Sequence, residues 1–210
     1  MPQNPVYPWK SYQNQDSRQK SVTFAKIFTK VKETIQLHDK KFVKFILSQQ
    51  IDEAISKVAQ QLNKDYGDDP PLILVTLNGA IVFAADLLKQ LQFSSVLSCI
   101  KLSSYQGTTS TDTMKTLIGL SEEVKDKRVL IIEDIVDTGK TYQTLVDLLN
   151  EKGAKEIRIA TLTLKPDAYK LDLPVHYVGI SIPDKFVVGR GLDYDGLGRN
   201  LNDIYQLFTE

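Results

Sequence analysis

From position 51 onward the chain alternates between two spacings of apolar residues. Ile51, Ala54, Ile55, Val58, Ala59 and Leu62 recur at i, i+3, i+4, i+7, the pattern that lines one face of a helix. Asp52 and Glu53 are then expected in the first turn, where a carboxylate suits the helix dipole. Residues 67–71 (GDDPP) break the pattern. The run 72–77 (LILVTL) has strand length and no polar face, as expected of a strand covered on both sides. A second helix is predicted over about 80–91, apolar at Phe83, Ala84, Leu87, Leu88 and Leu91. Further strands are predicted at 96–102, 129–132 (VLII), 157–164 (IRIATLTL) and 176–182 (HYVGISI). Between them, Tyr142, Leu145, Val146 and Leu149 stripe a third helix that Gly153 stops. Strands alternating with helices predict an α/β fold, a mostly parallel twisted sheet with helices on both faces. There is no internal repeat and no second core.

Two segments fall outside this rhythm. Residues 1–20 carry Pro2, Pro5 and Pro8, which forbid a helix, and their Gln/Asn-rich remainder has little to bury. They read as an extended or disordered arm, with Tyr7, Trp9 and Tyr12 available to dock, leaving 21–210 as a single domain. The second is 103–113 (SSYQGTTSTDT), polar throughout.

Composition narrows the functional classes. The chain has 210 residues, 42% of them apolar, which suits one ordinary globular domain. Its formal net charge is zero, so no global field argues for nucleic acid or an anionic membrane as partner. One cysteine, Cys99, excludes an intramolecular disulfide and a cysteine-based zinc site; its apolar surroundings suggest a small buried hydrophobe. No run approaches the roughly 18 apolar residues of a membrane span, and the N-terminus lacks the apolar core of a signal peptide. A cytoplasmic protein without membrane contact is expected. His38 and His176 have no metal-ligand partner in sequence and read as structural or solvated.

The candidate chemistry lies at 129–141 (VLIIEDIVDTGKT). In an open parallel sheet, ligands bind beyond the carboxyl ends of strands, where loops enter the next helix. Glu133 and Asp134 are expected there, facing solvent or a ligand, since burying them as packing is costly. Asp137, Thr138, Gly139, Lys140 and Thr141 then open a helix whose unpaired N–H groups and dipole favour an anion. A triphosphate-binding loop ends in the same Gly-Lys-Thr, but it needs glycine five residues before Gly139, where this chain has Asp134. A carboxylate there would repel a triphosphate and accept hydrogen bonds from a sugar diol. The segment therefore reads as a monophosphate cradle beside a diol clamp. The plain alternative is a strand–turn–helix with Asp137 as N-cap.

The uninterrupted run Glu133 to Thr141 resembles the signature of the type I phosphoribosyltransferases, and more closely their hypoxanthine-guanine branch, over roughly residues 70–205. The resemblance implies that family's fold, with a small hood formed by N- and C-terminal segments. It implies that Glu133 and Asp134 bind ribose hydroxyls, that 137–141 bind the 5′-phosphate, and that Asp137 is the catalytic proton acceptor near N7 of the base. Leu77, Asn78 and Gly79 look like the pyrophosphate loop, with Asn78 where many relatives carry lysine. Ser104 and Tyr105 resemble the start of a mobile lid that excludes water. Lys165 corresponds to the lysine that donates to O6 of a purine. In the second matching stretch, 182–204, Phe186 would stack on the base and Val187 would read its edge. Asp193 would bind Mg²⁺, with Glu133 and Asp134 as further metal-site residues, and Arg199 would pair with pyrophosphate.

The implied reaction is purine salvage: Mg²⁺-dependent transfer from phosphoribosyl pyrophosphate to N9 of hypoxanthine, and of guanine, by a homodimer or homotetramer. Two rivals are a phosphoribosyltransferase for orotate, uracil or adenine, and a non-catalytic sensor of phosphoribosyl pyrophosphate. Lys165 and 182–193 argue against the first. The second would often carry a basic or nucleic-acid-binding surface; Lys26, Lys30, Lys32, Lys40, Lys41 and Lys44 cluster near the N-terminus, but without a recognisable helix-turn-helix.

Overall fold

A computed structural model describes residues 33–104 and 114–209. Ten strands and three helices follow in the order β1 (Thr34–Leu37), β2 (Lys40–Ile46), α1 (Ser48–Tyr66), β3 (Leu72–Thr76), α2 (Ile81–Leu88), β4 (Leu97–Ser104), β5 (Met114–Ile118), β6 (Arg128–Val136), α3 (Lys140–Glu151), β7 (Glu156–Leu164), β8 (Tyr177–Ser181), β9 (Val187–Val188) and β10 (Ile204–Leu207). They belong to one compact unit over 34–210. The arm expected at 1–20 lies outside the described residues.

The larger sheet has the order β5-β4-β3-β6-β7-β8. Its β4, β3, β6, β7 and β8 are parallel neighbours, and β5 adds antiparallel to the β4 edge. Side chains alternate across each strand, and here both faces are covered. Ile73, Val75, Leu130 and Ile132 join the core formed with α1 and α2. Leu72, Leu74, Val129 and Ile131 join Tyr142, Leu145 and Leu149 of α3 on the other face. That two-sided burial is why β3 reads as an unbroken apolar run. Cys99 is free and half-buried against the α1–α2 core.

A smaller antiparallel sheet, β1-β2-β10-β9, forms the hood from the two ends of the unit. Phe42, Val188 and Tyr205 make its own small core. Among the described residues, no helix is long and apolar enough to cross a membrane.

Several expected boundaries move. α1 starts at Ser48, so Asp52 and Glu53 sit in its second turn and its first turn holds no acid. Two side chains instead satisfy its opening amides: Gln50 Oε1 accepts from Leu47 N at 3.1 Å, and Asp203 Oδ1 accepts from Ser48 N at 2.7 Å. α2 ends at Leu88, three residues early. The polar stretch loses Ser103 and Ser104 to β4, which pairs with the unanticipated β5. β6 continues to Val136, so Glu133 and Asp134 lie within the strand rather than beyond it. Pairing with β7 carries it on: Glu133 stands opposite Thr161, and Ile135 opposite Thr163.

Candidate active site

The carboxyl ends of β3, β6 and β7 are adjacent in the sheet and deliver three loops to one place. After β3, Leu77, Asn78, Gly79 and Ala80 lead into α2, with a cis peptide between Leu77 and Asn78. Gly79 and Ala80 are buried, while Asn78 is exposed. Gly79 lies against Asp134: a Cβ built on it would stand 1.8 Å from Asp134 Oδ2. The loop and the acidic strand can approach this closely only because position 79 has no side chain.

Glu133 and Asp134 are more buried than expected, Asp134 being 9% exposed. Thr76 Oγ1 lies within hydrogen-bond distance of both Ile132 O, at 2.8 Å, and Glu133 Oε2, at 2.5 Å. Asp134 Oδ1 accepts from Ile135 N at 3.0 Å, and Thr163 Oγ1 donates to Asp134 O at 3.0 Å. The two carboxyl groups are close enough to influence each other's protonation. Burial, and then the charge of Asp134, push Glu133 well above the usual carboxylate range. Burial also raises Asp134, opposed by the hydrogen bond from Glu133, backbone N–H groups and the charge of Arg199. Neighbouring buried acids of this kind favour ligands that bring hydroxyl donors or positive charge.

Beyond β6, Gly139 is the N-cap of α3 in the left-handed region at φ 85°, and α3 has no side-chain cap. A Cβ on Gly139 would meet the Tyr169 ring at 2.5 Å and Leu171 at 2.7 Å. The helix therefore opens with N–H groups free of a capping side chain, a ready anion site. Asp137 does not serve as that cap. Its Oδ2 accepts from Lys165 Nζ at 2.7 Å. Lys165, at the start of the loop after β7, is 6% exposed rather than solvated, and its ammonium also reaches Asp184 Oδ1 at 3.2 Å.

The loop after β8 supplies the remaining residues. Phe186 is 45% exposed, with its ring edge-on to Tyr194 at 5.9 Å and 6.2 Å from Phe42. Val187 is buried in β9. Arg199 Nη2 lies 2.6 Å from Asp193 Oδ1, and Asp193 Oδ2 accepts from Gly196 N at 2.7 Å. Tyr194 is braced in turn by the β1–β2 turn. Its hydroxyl donates to Asp39 Oδ1 at 2.7 Å, and Lys40 Nζ sits 4.6 Å from its ring centre. His38, in the same turn, reaches Asp195 O at 3.2 Å.

Among the described residues, no three His, Cys, Asp or Glu side chains converge as a metal site. The predicted metal residues Asp193, Glu133 and Asp134 are accordingly not gathered into one cluster. Their carboxylate oxygens suit a hard divalent cation whose remaining ligands are water and substrate oxygens. Ser104 ends β4, and Tyr105 lies outside the described residues. Sequence reasoning missed Thr76, Asp184 and Tyr194. Thr76 had one signal, a hydroxyl closing an otherwise apolar strand. Asp184 meets Lys165 only through the pairing of β7 with β8, which residue types do not reveal.

Comparison with known proteins shows the family and the fold. Residues 46–195 match the family described as phosphoribosyl transferase domain. The chain is 41% identical over 150 residues to the hypoxanthine-guanine phosphoribosyltransferase of Staphylococcus epidermidis, covering 71% of this chain and 84% of the relative. The crystal structure of a Bacillus anthracis hypoxanthine-guanine phosphoribosyltransferase superposes with a TM-score of 0.74 at 33% identity, over 79% of this chain and 98% of the other. A Trypanosoma cruzi hypoxanthine phosphoribosyltransferase, studied for its C-terminal region and oligomeric state, gives 0.73 at 29% identity, over 83% and 95%.

Proposed function

The chain belongs to the phosphoribosyltransferase family, and we propose that it transfers the 5-phosphoribosyl group of phosphoribosyl pyrophosphate to N9 of hypoxanthine and guanine. The products are the nucleoside monophosphates, IMP and GMP, and pyrophosphate. The observation that carries this reading is the ion pair between Lys165 and Asp137, 2.7 Å apart. It joins the end of the phosphate cradle to the loop that holds the base. O6 and N7 lie on one edge of a 6-oxopurine, so a single base can take a hydrogen bond from Lys165 at O6 and meet Asp137 at N7.

The donor occupies the other side. Its 5′-phosphate sits on the amides and hydroxyls of 137–141 at the opening of α3, and its ribose hydroxyls donate to Glu133 and Asp134. The pyrophosphate lies between the Leu77–Gly79 backbone and Arg199. With Asn78 exposed and uncharged, the contact to that loop rests on backbone amides. Phe186 stacks on the base and Val187 reads its edge. Ser104 and Tyr105 begin the lid that covers the site.

In the reaction, N9 forms a bond to C1 of the ribose as the bond from C1 to pyrophosphate breaks. The base's proton passes to Asp137 or is shared with it by a strong hydrogen bond, an assistance typically worth ~10²–10⁴ in rate. Arg199 stabilises charge on the departing pyrophosphate. Asp193, with Glu133 and Asp134, would hold Mg²⁺, which would supply positive charge to offset that of the pyrophosphate.

Of the N-terminal lysines, Lys26, Lys30 and Lys32 lie outside the described residues. Lys44 pairs with Asp203 at 2.8 Å, and Lys40 and Lys41 lie over the rings of Tyr194 and Phe208. The test is pyrophosphate release with phosphoribosyl pyrophosphate, Mg²⁺ and a panel of bases. Release is expected with hypoxanthine and guanine and at background level with adenine, uracil and orotate; release confined to the latter group would overturn the assignment. A cytoplasmic homodimer or homotetramer completes the proposal.

A further inference from the structure

Arg190 stands between the base-reading strand β9 and the Asp193–Arg199 segment, and no step of the proposed transfer uses it. Its backbone is left-handed at φ 51°, uncommon for a residue with a long side chain. The residue is only 9% exposed. Its guanidinium reaches both helices on one face of the sheet: Nη1 donates to Asp86 Oδ2 of α2 at 3.0 Å, and Nη2 donates to Asp52 Oδ1 of α1. Its Nε is buried without a hydrogen-bond partner. A buried guanidinium is costly to hold unless carboxylates compensate it, and the two helices supply one each.

The main chain around Arg190 leads to the pyrophosphate residues. Arg190 N donates to Leu201 O and Gly191 N to Arg199 O, both at 2.9 Å. Gly191 O accepts from Arg199 Nη1 at 2.7 Å. Gly191 is also pressed against the other pyrophosphate loop, since a Cβ there would lie 1.9 Å from Gly79 O. The base-reading half is held differently. Val187 and Val188 pair with Gln206 and Tyr205 of β10, and Val188 packs with Phe42 and Tyr205.

We propose that Arg190 is a positioning residue for the pyrophosphate half of the site. Anchored on Asp52 and Asp86, it holds Gly191 so that Arg199 and the Leu77–Gly79 loop keep a fixed spacing, while the base half stands independently. This rests on reading Arg199 and that loop as the pyrophosphate site. A misplacement of about 1 Å at a reacting group can cost about 10²-fold.

Steady-state kinetics of Arg190→Met, Arg190→Lys and the exposed control Lys89→Met, which loses only a surface pair on Asp86, test it. The Met variant is expected to raise the KM for phosphoribosyl pyrophosphate on the order of tenfold with the hypoxanthine KM nearly unchanged. The Lys variant is expected to recover part of the loss, and the control to match the parent. Inorganic pyrophosphate titrated by calorimetry should lose affinity in the same order. If Arg190→Met does not fold, Asp52→Asn with Asp86→Asn removes both anchors and is expected to give the same split. Donor and base KM values rising together, or neither rising, would overturn the inference. A parent protein that binds pyrophosphate in an Arg190-dependent way but releases none with any base would overturn the transfer reading and keep Arg190's role. One that binds no pyrophosphate would overturn both.

Discussion

Asp137 and Lys165 form an ion pair across the gap where a purine edge is proposed to enter, and the acid of that pair makes a kinetic prediction. Asp137→Asn keeps the shape of the proposed phosphate cradle but removes the proposed proton acceptor, so kcat should fall by about 10²–10⁴ while the donor KM changes little. Unchanged kcat in stopped assays would remove Asp137 from the chemistry. Gly139 makes a separate prediction about the cradle. At φ 85°, with the Tyr169 ring 2.5 Å from where a Cβ would stand, Gly139→Ala should cost about 1–2 kcal/mol in backbone strain. That corresponds to roughly 2–8 °C in Tm for a chain of this size. Calorimetry showing an unchanged Tm would contradict that conformation.

At the scale of elements, the edge of the sheet makes a pH prediction. His176, just before β8, accepts the Ile159 N–H at Nδ1, a contact that needs the nitrogen unprotonated. Partial desolvation, and then the Arg158 charge, push its pKa down from 6.5 to about 4. The unfolded chain therefore takes up the proton more readily than the folded one. The stability His176 contributes is full above about pH 6.5 and is lost as pH falls through about 4. Because part of the ring remains exposed, the effect should be small. His176→Gln should flatten the fall in Tm over that interval; an identical fall in the two proteins would exclude it.

The same scale explains which elements the sequence revealed. β3, β6 and β7 are buried on both faces, so their apolar runs are unmistakable. The hood strands could not be found by periodicity. β1 and β10 have four residues each and β9 has two, and β2 (KKFVKFI) hides Phe42 and Ile46 among lysines. Their pairings depend on partners far away in sequence, such as Val43 with Gln206. The run from Glu133 to Thr141 stood out in the sequence because it gathers two acids, two threonines, a glycine and a lysine where an apolar strand gives way to a helix. The burial of Lys165 between Asp137 and Asp184 was not, because it arises from three strands meeting.

For the whole molecule, two further outcomes are expected. Among the described residues no three acids converge as a metal cage, so a cation at the proposed donor site should bind weakly without substrate and strongly with it. Chelation should bring turnover to background and added Mg²⁺ should restore it; full activity after exhaustive chelation would contradict a metal role. Light scattering should give the mass of a dimer or tetramer, and a monomer at assay concentration would contradict the proposed assembly.

The central claim concerns the bond that is made. Incubation with phosphoribosyl pyrophosphate, Mg²⁺ and hypoxanthine, followed by mass determination of the product, addresses it directly. IMP and pyrophosphate are expected in equal amounts, with neither accumulating when the base is omitted. Pyrophosphate released at the same rate without base, or no nucleotide formed with it, would contradict phosphoribosyl transfer to a purine.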